Sequence, residues 1–281
     1  MRLPVKICMS LNQLFPMQVH PFNLNNDGVK SYAEWQYDKG IDTIKLYLKT
    51  TNTQKMFKNK KVLDIGCGAG GKTVYYASQG VSEIVGLEIL EKYEEEALKL
   101  AEDKGFKDVF TFTSQDAAKT NFADNTFDTI IMNDAMEHVD EPAKVLDECY
   151  RILKKGGKLY LNFPPYNHPY GAHLSDAIAM PWVHVFFSDQ TMIEAYKELV
   201  KGLPDGKDRI KFRIDTNNQG EEYFSYINHM SIKRYNSILN LSPFKVKYYS
   251  EEPLRNMLKP LAKLPFVKEF FVKMVVSVLE K

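Results

Sequence analysis

Four glycines within six positions constrain the fold of this chain more than any other stretch of its sequence. The segment from Lys61 to Gly71, KVLDIGCGAGG, places an apolar run before the glycines, and a helix-like run follows them. Glycine tolerates positive φ and has no Cβ, so a ligand can lie against backbone N–H groups at the start of a helix. The pattern therefore predicts a strand, a glycine loop and a helix that together bind a nucleotide-like ligand.

A carboxylate beside the loop narrows the choice of that ligand. Gly66, Gly68 and Gly71 also satisfy the G-x-G-x-x-G pattern of dinucleotide-binding proteins, so the glycines alone do not select a cofactor. Asp64 lies two residues before the first glycine. A carboxylate repels a pyrophosphate and attracts an ammonium or sulfonium group. We therefore expect a cofactor that carries a positive charge.

This run resembles the first motif of the class I S-adenosylmethionine-dependent methyltransferases, in which a hydrophobic strand precedes D-x-G-x-G-x-G. Four residues match the motif position for position: Asp64, Gly66, Gly68 and Gly70. The resemblance, which is to the type 11-like small-molecule enzymes, implies S-adenosyl-L-methionine as the cofactor. Cys67, inside the loop, belongs to the same predicted cofactor-binding set.

The ends of the next two predicted strands carry further candidate cofactor residues. Glu88, followed by Ile89, ends the strand EIVGLEI about 20 positions after the loop glycines, where a carboxylate can accept both ribose hydroxyls of an adenosine. In the family, an acidic residue after the third strand accepts a hydrogen bond from adenine, and Asp116 with Ala117 matches that position. The alternatives are a solvated glutamate at a strand end and an aspartate that caps a helix.

The stretch FDTIIM, residues 127–132, is almost uniformly apolar, as expected of a central parallel strand covered on both faces. Asn133, Asp134 and His138 follow it, and the resemblance to the family implies that they line the methionine end of the cofactor. His138 is the middle residue of an E-H-V sequence like the one that many class I methyltransferases carry after this strand. A helix is predicted over Glu141 to Leu153, with Gly156 and Gly157 at its end and a fifth strand after them.

These elements predict an α/β fold: a Rossmann-like, mostly parallel seven-stranded sheet with helices on both faces, an N-terminal helical cap and a lid inserted after the fifth strand. The candidate residues cluster at the carboxyl ends of strands, where open parallel sheets bind ligands. We expect four consecutive segments: a helical cap (1–56), the cofactor-binding core (57–163), an acceptor-binding lid (164–243) and C-terminal strands that complete the sheet (244–281).

Outside the core, hydrophobic spacing predicts the remaining elements. Before the core, Ser31 to Leu48 is predicted to form one or two helices that break at Gly40. The predictions after the core are a helix over 190–203, a strand or hairpin over 207–218, a helical stretch over 223–241, and strands over 244–249 and 270–279. For residues 270–279 the β-branched valines, together with the antiparallel pair that the resemblance to the family implies, favour the strand, and the alternative is an amphipathic helix on a membrane.

The predicted lid carries histidines among aromatic side chains, in the run YNHPYGAHLSDAIAMPWVHVFFS. A histidine with a pKa of about 6.5 can remove a proton from a hydroxyl acceptor near neutral pH. His173 and His184 are therefore the candidate general bases, in that order, and packed structural histidines are the alternative. The histidines lack the close spacing of a metal site, so we predict no bound metal.

The predicted function is methyl transfer to a small-molecule or glycan acceptor, with oxygen ranked before nitrogen and carbon. A nicotinamide-dependent oxidoreductase and a non-enzymatic cofactor-binding module are the alternatives.

The 37 basic and 36 acidic side chains nearly balance, so composition gives no sign of a nucleic-acid partner. No apolar stretch approaches the roughly 20 residues of a spanning helix, so no stable membrane insertion is expected. The odd number of cysteines favours a reducing, cytoplasmic setting, and the oligomeric state is left open.

Overall fold

This computed structural model describes residues 1–17, 20, 23 and 31–281 of the chain. The chain divides into two units. The core unit spans Lys30–Phe163, Lys233–Glu252 and Met274–Lys281, and the insertion unit spans Met1–Val29, Pro164–Ile232 and Pro253–Lys273. Each unit is thus built from separate stretches of chain. The predicted division into four consecutive segments stays a prediction.

Strands and helices alternate through most of the core unit, and the elements named below are those of the described residues of both units. The strands are β1 (Lys61–Ile65), β2 (Glu83–Glu88), β3 (Phe110–Ser114), β4 (Phe127–Asn133), β5 (Leu153–Phe163), β6 (Ile214–Thr216), β7 (Glu222–Phe224), β8 (Lys245–Pro253) and β9 (Val272–Glu280). The helices are α1 (Leu3–Asn12), α2 (Tyr32–Asp38), α3 (Gly40–Ile44), α4 (Thr53–Phe57), α5 (Gly71–Ala77), α6 (Glu94–Asp103), α7 (Pro142–Ile152), α8 (Val183–Phe186), α9 (Asp189–Val200), α10 (Gly206–Arg213), α11 (Ile232–Leu241) and α12 (Lys268–Phe271).

One seven-stranded sheet, in the order β3-β2-β1-β4-β5-β9-β8, forms the centre of the core unit. The pairs β1 with β2, β1 with β4, β2 with β3 and β4 with β5 are parallel, and β9 runs antiparallel to β5. The predicted α/β class with a mostly parallel seven-stranded sheet is therefore confirmed. The membrane-helix alternative for residues 270–279 is wrong, because β9 is a largely buried strand of this sheet.

The strand order reverses at β1, which has β2 on one side and β4 on the other. Both β1 and β4 are buried along almost their whole length, as the uniformly apolar FDTIIM run predicts. The register pairs Leu63 with Ile130 and Ile65 with Met132, so the two strands end at the same level. Open parallel sheets bind ligands at such a switch point, beyond the carboxyl ends of the strands.

The prediction that Gly156 and Gly157 end the preceding helix is wrong. Helix α7 ends at Ile152, and both glycines lie within β5. The β4–β5 register moves from Phe127↔Leu153 to Thr129↔Lys158, so the chain bulges between these pairs. Gly156 has a φ of 78°, a conformation that glycine adopts readily. The bulge, and not a helix end, therefore accounts for a glycine at this position.

The predicted N-terminal helices are confirmed as α2 and α3, and the break between them falls at Lys39, one residue before the expected Gly40, which starts α3. A capping box between Ser31 and Glu34 starts α2. Helix α2 lies against the first residue of α5, because a Cβ added to Gly71 would be 2.0 Å from the backbone oxygen of Ala33. The glycine at this position therefore permits close packing of the two helices.

In the insertion unit, α1 packs against α9 and buries Val5 and Cys8. Asn12, the last residue of α1, binds the backbone of the predicted lid segment: its Nδ2 donates to the oxygen of Ala177 at 2.9 Å, and its Oδ1 accepts from the nitrogen of Ala179 at 2.7 Å. These bonds connect the N-terminal helix to the chain that follows β5.

Among the described residues, no helix combines the length and apolarity needed to cross a bilayer.

Two predicted elements of the insertion unit differ from the structure. The sequence predicts a strand or hairpin over 207–218, but α10 covers 206–213 and only the short β6 pairs with β7. Arg209 and Arg213, spaced as on one helix face, are the buried residues of α10 after its first residue, Gly206, so a search for apolar periodicity misses the helix. The helix predicted over 223–241 begins only at Ile232. The helix predicted over 190–203 is confirmed as α9.

Replacing Gly71 with Ala should lower the free energy of unfolding by about 1–3 kcal/mol, because the new methyl group would collide with the backbone of Ala33. Urea unfolding of the full chain followed by circular dichroism measures this change. Gly202 is the control: a Cβ there meets nothing within 4 Å, so Gly202→Ala should change stability by less than about 0.5 kcal/mol. Equal stability of the two variants would contradict the packing of α2 on α5.

Candidate functional site

The glycine loop is fastened to the end of β2 by its own backbone. The N–H groups of Gly66 and Cys67 both donate to the oxygen of Leu87, at 2.8 and 3.1 Å. Gly66, Gly68 and Gly70 all have positive φ. Side chains are also excluded sterically, since a Cβ at Gly66 would lie 2.7 Å from the Cβ of Ala135. The predicted strand, glycine loop and helix are thus present as expected.

Glu88 lies directly across from this loop at the end of β2. Its Oε2 accepts from the backbone N–H of Gly68 at 3.0 Å, and its Oε1 accepts from the N–H of Ile89 at 2.9 Å and of Leu90 at 3.2 Å. These three bonds fix the orientation of a partly exposed carboxylate. The Ile89 side chain is 68% exposed beside it. The structure therefore brings together the predicted residues Gly68, Glu88 and Ile89.

Asp64 is buried, and its Oδ2 accepts from the hydroxyl of Thr73 at 2.6 Å. Burial raises the pKa of Asp64 to about 6, while the Thr73 hydrogen bond and the Lys72 charge act in the opposite direction. The carboxylate thus joins the end of β1 to the first turn of α5. Direct contact of Asp64 with a cofactor stays a prediction.

Cys67 contributes its backbone to the loop, while its side chain is buried. The Sγ atom lies against β2, because a Cβ added to Gly86 would be 2.9 Å from it. Burial raises the pKa of the Cys67 thiol well above its ordinary value, with the charges of Asp64 and Glu88 adding to the effect. The thiol is therefore kept protonated and unreactive.

Asp116 and Ala117 lie just after β3, as predicted. The Oδ1 of Asp116 accepts from the N–H of Ala118 at 2.8 Å, and its backbone oxygen accepts from Lys119 at 3.0 Å. The carboxylate therefore stabilises a turn, which is close to the capping role that the sequence left open. A contact of Asp116 or Ala117 with adenine stays a prediction.

Asn133, at the end of β4, is bonded into the interior of the core unit. Its Oδ1 accepts from the Tyr47 hydroxyl at 2.5 Å and from Nδ2 of Asn162 at 2.7 Å, and its own Nδ2 donates to the Tyr76 hydroxyl at 3.1 Å. This network lies beneath the strand ends and joins helices to β4 and β5. The direct cofactor contact predicted for Asn133 stays a prediction.

Asp134 has a left-handed backbone, with φ at 52°, and its Oδ2 lies 3.3 Å from Nζ of Lys72. Lys72 is largely buried, with 15% of its side chain exposed. Burial lowers its pKa, but the charges of Asp134, Tyr76 and Asp64 outweigh that effect, so the pKa of Lys72 is raised. Lys72 therefore remains a cation, and two of the predicted site residues, Asp134 and Asp64, stabilise its charge.

The sequence-based prediction missed two residues near these strand ends, Lys72 and Glu137. Glu137 is buried, and burial, together with the charge of Asp134, raises its pKa well above the ordinary value of a glutamate. The predicted residue His138 follows it, with Nε2 at 3.9 Å from Oε1 of Glu137. Both missed residues lie beside motifs that the sequence shows. Glu137 is the first residue of the E-H-V sequence, and Lys72 directly follows the last glycine of the loop.

Two side chains of α2 border the glycine loop. Gln36 Oε1 accepts from the N–H of Gly71 at 3.3 Å. A Cβ at Gly68 would lie 3.5 Å from the hydroxyl of Tyr32, and the rings of Tyr32 and Tyr93 have centroids 6.0 Å apart. This aromatic pair provides an apolar border to the loop on the side of α2.

The candidate base His173 lies in a clamped turn of the insertion unit. Its φ of 52° is left-handed, and its carbonyl accepts a hydrogen bond from the hydroxyl of Tyr226, which also donates to the oxygen of Ala172 at 2.8 Å. The guanidinium of Arg213 lies 4.7 Å from the ring centroid of Tyr226 and binds Oδ1 of Asp176 at 2.8 Å. Tyr226 therefore binds the backbone of the turn at Ala172 and His173, and Arg213 binds the side chain of Asp176 that follows.

The second candidate, His184, lies on α8 beside Tyr166, with ring centroids 4.8 Å apart. Burial, with a smaller effect of the neighbouring His229, lowers the pKa of His184 to about 4. The imidazole of His184 is therefore neutral at physiological pH and takes up a proton weakly. His173 and His184 both belong to the insertion unit, whereas all the predicted cofactor residues belong to the core unit.

Comparison with known proteins gives matches that centre on the core unit. The methyltransferase domain family matches residues 63–161. Phosphoethanolamine N-methyltransferase 3 and the chloroplastic tocopherol O-methyltransferase of Arabidopsis thaliana are each 31% identical, over 43% and 40% of this chain. A sterol 24-C-methyltransferase of Yarrowia lipolytica is 36% identical over 34% of the chain. The matched parts are only 24%, 32% and 26% of those relatives.

Among solved structures, an S-adenosylmethionine-dependent methyltransferase of Methanosarcina mazei is similar with a TM-score of 0.52 and 20% identity, over 84% of this chain and 97% of that one. At this level of identity the likeness concerns the fold. It extends beyond the residues that the family matches.

Asp64→Asn should stabilise the protein without ligand at about pH 7.5 by about 2–3 kcal/mol. The pKa of about 6 lies above the ordinary 3.8, so the folded state holds this proton more tightly and loses stability as pH rises between these values. The neutral amide avoids that loss and can still accept from Thr73. The difference between variant and parent should vanish below about pH 4.

Urea unfolding across this pH range measures the effect, with Asp108→Asn, an exposed site of the core unit, as the control. A loss of stability in Asp64→Asn at neutral pH would contradict the view that this buried charge is held at a cost to the fold.

Proposed function

Because the core of this chain is that of a class I S-adenosylmethionine-dependent methyltransferase, with residues 63–161 in the methyltransferase domain family, we propose that it transfers a methyl group to a small molecule. The cofactor is S-adenosyl-L-methionine, and an oxygen atom is the acceptor that we propose. A glycan hydroxyl falls within that proposal. Nitrogen and carbon acceptors are the alternatives, since the relatives are named for transfer to all three elements.

The observation that carries the cofactor assignment is the oriented carboxylate of Glu88. Three backbone N–H groups hold it at the end of β2, where the bond from Gly68 joins it to the glycine loop. A carboxylate held in this way can accept hydrogen bonds from the two ribose hydroxyls of an adenosine without reorienting. The exposed side chain of Ile89 next to it offers an apolar surface for adenine.

The charges around the strand ends favour a cationic cofactor over a dinucleotide. Asp64, Glu88 and Asp134 supply carboxylates, and Lys72 is the cation bonded to one of them. A pyrophosphate beside these groups would be repelled, whereas a sulfonium or ammonium group would be attracted. This electrostatic balance supports S-adenosylmethionine and weighs against the nicotinamide-dependent alternative.

The proposed chemistry needs few protein groups. S-adenosylmethionine supplies an electrophilic methyl group on a sulfonium. Transfer forms the oxygen–carbon bond and breaks the carbon–sulfur bond, the electron pair stays on sulfur, and the acceptor's proton passes to a base. Orientation of the acceptor supplies much of the acceleration in such a displacement.

We propose His173 as that base in preference to His184. A general base works best with a pKa near the operating pH, and the low pKa of His184, about 4, makes its imidazole a poor proton acceptor. His173 lies in a turn whose carbonyls are fixed by Tyr226, so the position of the residue is well defined. No bound metal is part of this proposal.

Glu88→Gln should weaken the binding of S-adenosylmethionine at least about tenfold, because a neutral amide loses charge-assisted hydrogen bonds worth roughly 1.5–3 kcal/mol. Isothermal titration calorimetry measures the affinity. Glu102→Gln, at an exposed site on α6, is the control and should leave the affinity unchanged. Unchanged affinity in Glu88→Gln would contradict the ribose assignment, and tighter binding of NADH than of S-adenosylmethionine would contradict the cofactor.

His173→Asn should lower turnover by at least about 100-fold, while cofactor affinity changes less than about twofold. Asparagine suits this position because it tolerates the left-handed backbone of residue 173. Metabolite fractions incubated with methyl-labelled S-adenosylmethionine would first identify the acceptor by mass spectrometry, and its methylation rate is then the assay.

His184→Asn is the matched variant and should reduce turnover far less than His173→Asn. Equal turnover of His173→Asn and the parent would exclude His173 as the base. A loss of activity on adding EDTA, restored by Mg²⁺ or Zn²⁺, would contradict the absence of a metal from this proposal.

A further inference from the structure

A short stretch of the insertion unit, Leu254 to Phe266, exposes large apolar side chains to solvent. The sequence of this segment, which we call the apolar loop, is LRNMLKPLAKLPF. Phe266 is 97% exposed and Met257 78% exposed, and Leu264 and Leu261 are exposed to a smaller degree. A cluster of this kind costs hydration free energy, so soluble surfaces rarely carry it without a binding role.

The loop is held at its base by hydrogen bonds and buried contacts. The N–H of Leu254 donates to the oxygen of Phe271 at 2.8 Å, and the N–H of Val267 donates to the oxygen of Leu264 at 3.2 Å. Two 3₁₀ turns, Asn256–Leu258 and Leu261–Lys263, shape the loop, and the buried Ala262 anchors the second turn. Pro260 and Pro265 prevent a continuous helix. The exposed side chains therefore stand on a structured support.

Positive charge is concentrated in the same stretch. The apolar loop contains Arg255, Lys259 and Lys263 and no acidic residue, whereas the whole chain has a net charge of only +1. No carboxylate of the described residues forms an ion pair with Lys259 or Lys263. The apolar loop thus combines insertable side chains with cations that lack such partners.

We infer that the apolar loop docks on the surface of an anionic lipid membrane. The apolar side chains would enter the boundary between headgroups and acyl chains, and the lysines would reach lipid phosphates along their flexible stems. Each lysine or arginine near an anionic surface strengthens binding about fivefold. This inference goes beyond the proposed methyl transfer and does not depend on it.

A second copy of the chain fits the loop less well. In a two-fold interface the same patch faces itself, so the three cations of one loop would meet the three cations of the other. Such like charges at close range oppose association. A lipid surface supplies the opposite charge and an apolar layer together, which matches both features of the loop.

The experiment is co-sedimentation of the full-length chain with vesicles of pure phosphatidylcholine and of phosphatidylcholine with an equimolar amount of phosphatidylglycerol. We expect binding to the anionic vesicles, at least about tenfold weaker binding to the neutral ones, and weakening by high salt. Phe266→Ser should reduce binding to anionic vesicles at least about tenfold. Lys259→Glu with Lys263→Glu should reduce it at least about 25-fold.

Matched controls separate docking from general surface effects. Leu241→Ser replaces an apolar side chain that is 90% exposed in the core unit, and it should bind as the parent does. Lys55→Glu with Lys58→Glu changes the net charge as much as the loop variant does, at exposed positions of the core unit. Because all these positions are exposed, the variants should keep the unfolding temperature of the parent, which circular dichroism checks.

The inference is overturned if the parent does not sediment with anionic vesicles, or if the controls lose as much binding as the loop variants. It is also overturned if analytical ultracentrifugation shows a dimer that Phe266→Ser dissociates while vesicle binding stays unchanged, since the loop would then bind a second copy.

Discussion

The hydrogen bonds between the glycine loop and the end of β2 are the constraint on which the rest of the core site depends. Gly66 and Cys67 donate to Leu87, and Gly68 donates to the carboxylate of Glu88. Because β1 and β2 are paired in parallel register up to this point, the loop and the acid are fixed relative to each other. The same loop starts α5 at Gly71, where only a missing side chain lets α2 approach. One backbone turn therefore sets the position of the carboxylate and of two helices.

The core unit buries acidic side chains near these strand ends, where burial disfavours their charged forms. Burial raises the pKa of both Asp64 and Glu137, and Lys72 is the cation that shares their surroundings. A fold selected for stability alone would replace such carboxylates with neutral or apolar side chains. Asp64 lies near the end of β1, and Glu137 follows the end of β4. Stability is lowered where a function is expected, a pattern common at binding sites.

The insertion unit handles its charges in the opposite way. Its buried acid, Asp176, binds Arg213 at 2.8 Å and Arg209 at 3.2 Å, and it also accepts from the Tyr196 hydroxyl at 2.7 Å. This network joins α9, α10 and the turn that carries His173, so charge-assisted hydrogen bonds stabilise the interior of the unit. The unit instead exposes apolar and basic side chains on the loop that connects β8 to β9. Its interior and its surface thus point to separate roles.

The sequence by itself determined the glycine loop, the central strands and the position of Glu88, because each follows from local patterns: glycine crowding, an unbroken apolar run and a fixed spacing along one βαβ unit. Only the tertiary structure decided the environments of Asp64 and Asn133. The partners of Asn133, such as Tyr47 and Asn162, are distant in sequence, and the pKa of a carboxylate depends on burial, which no spacing reveals. The same reason explains the missed α10, whose buried face consists of arginines that a search for apolar residues cannot recognise.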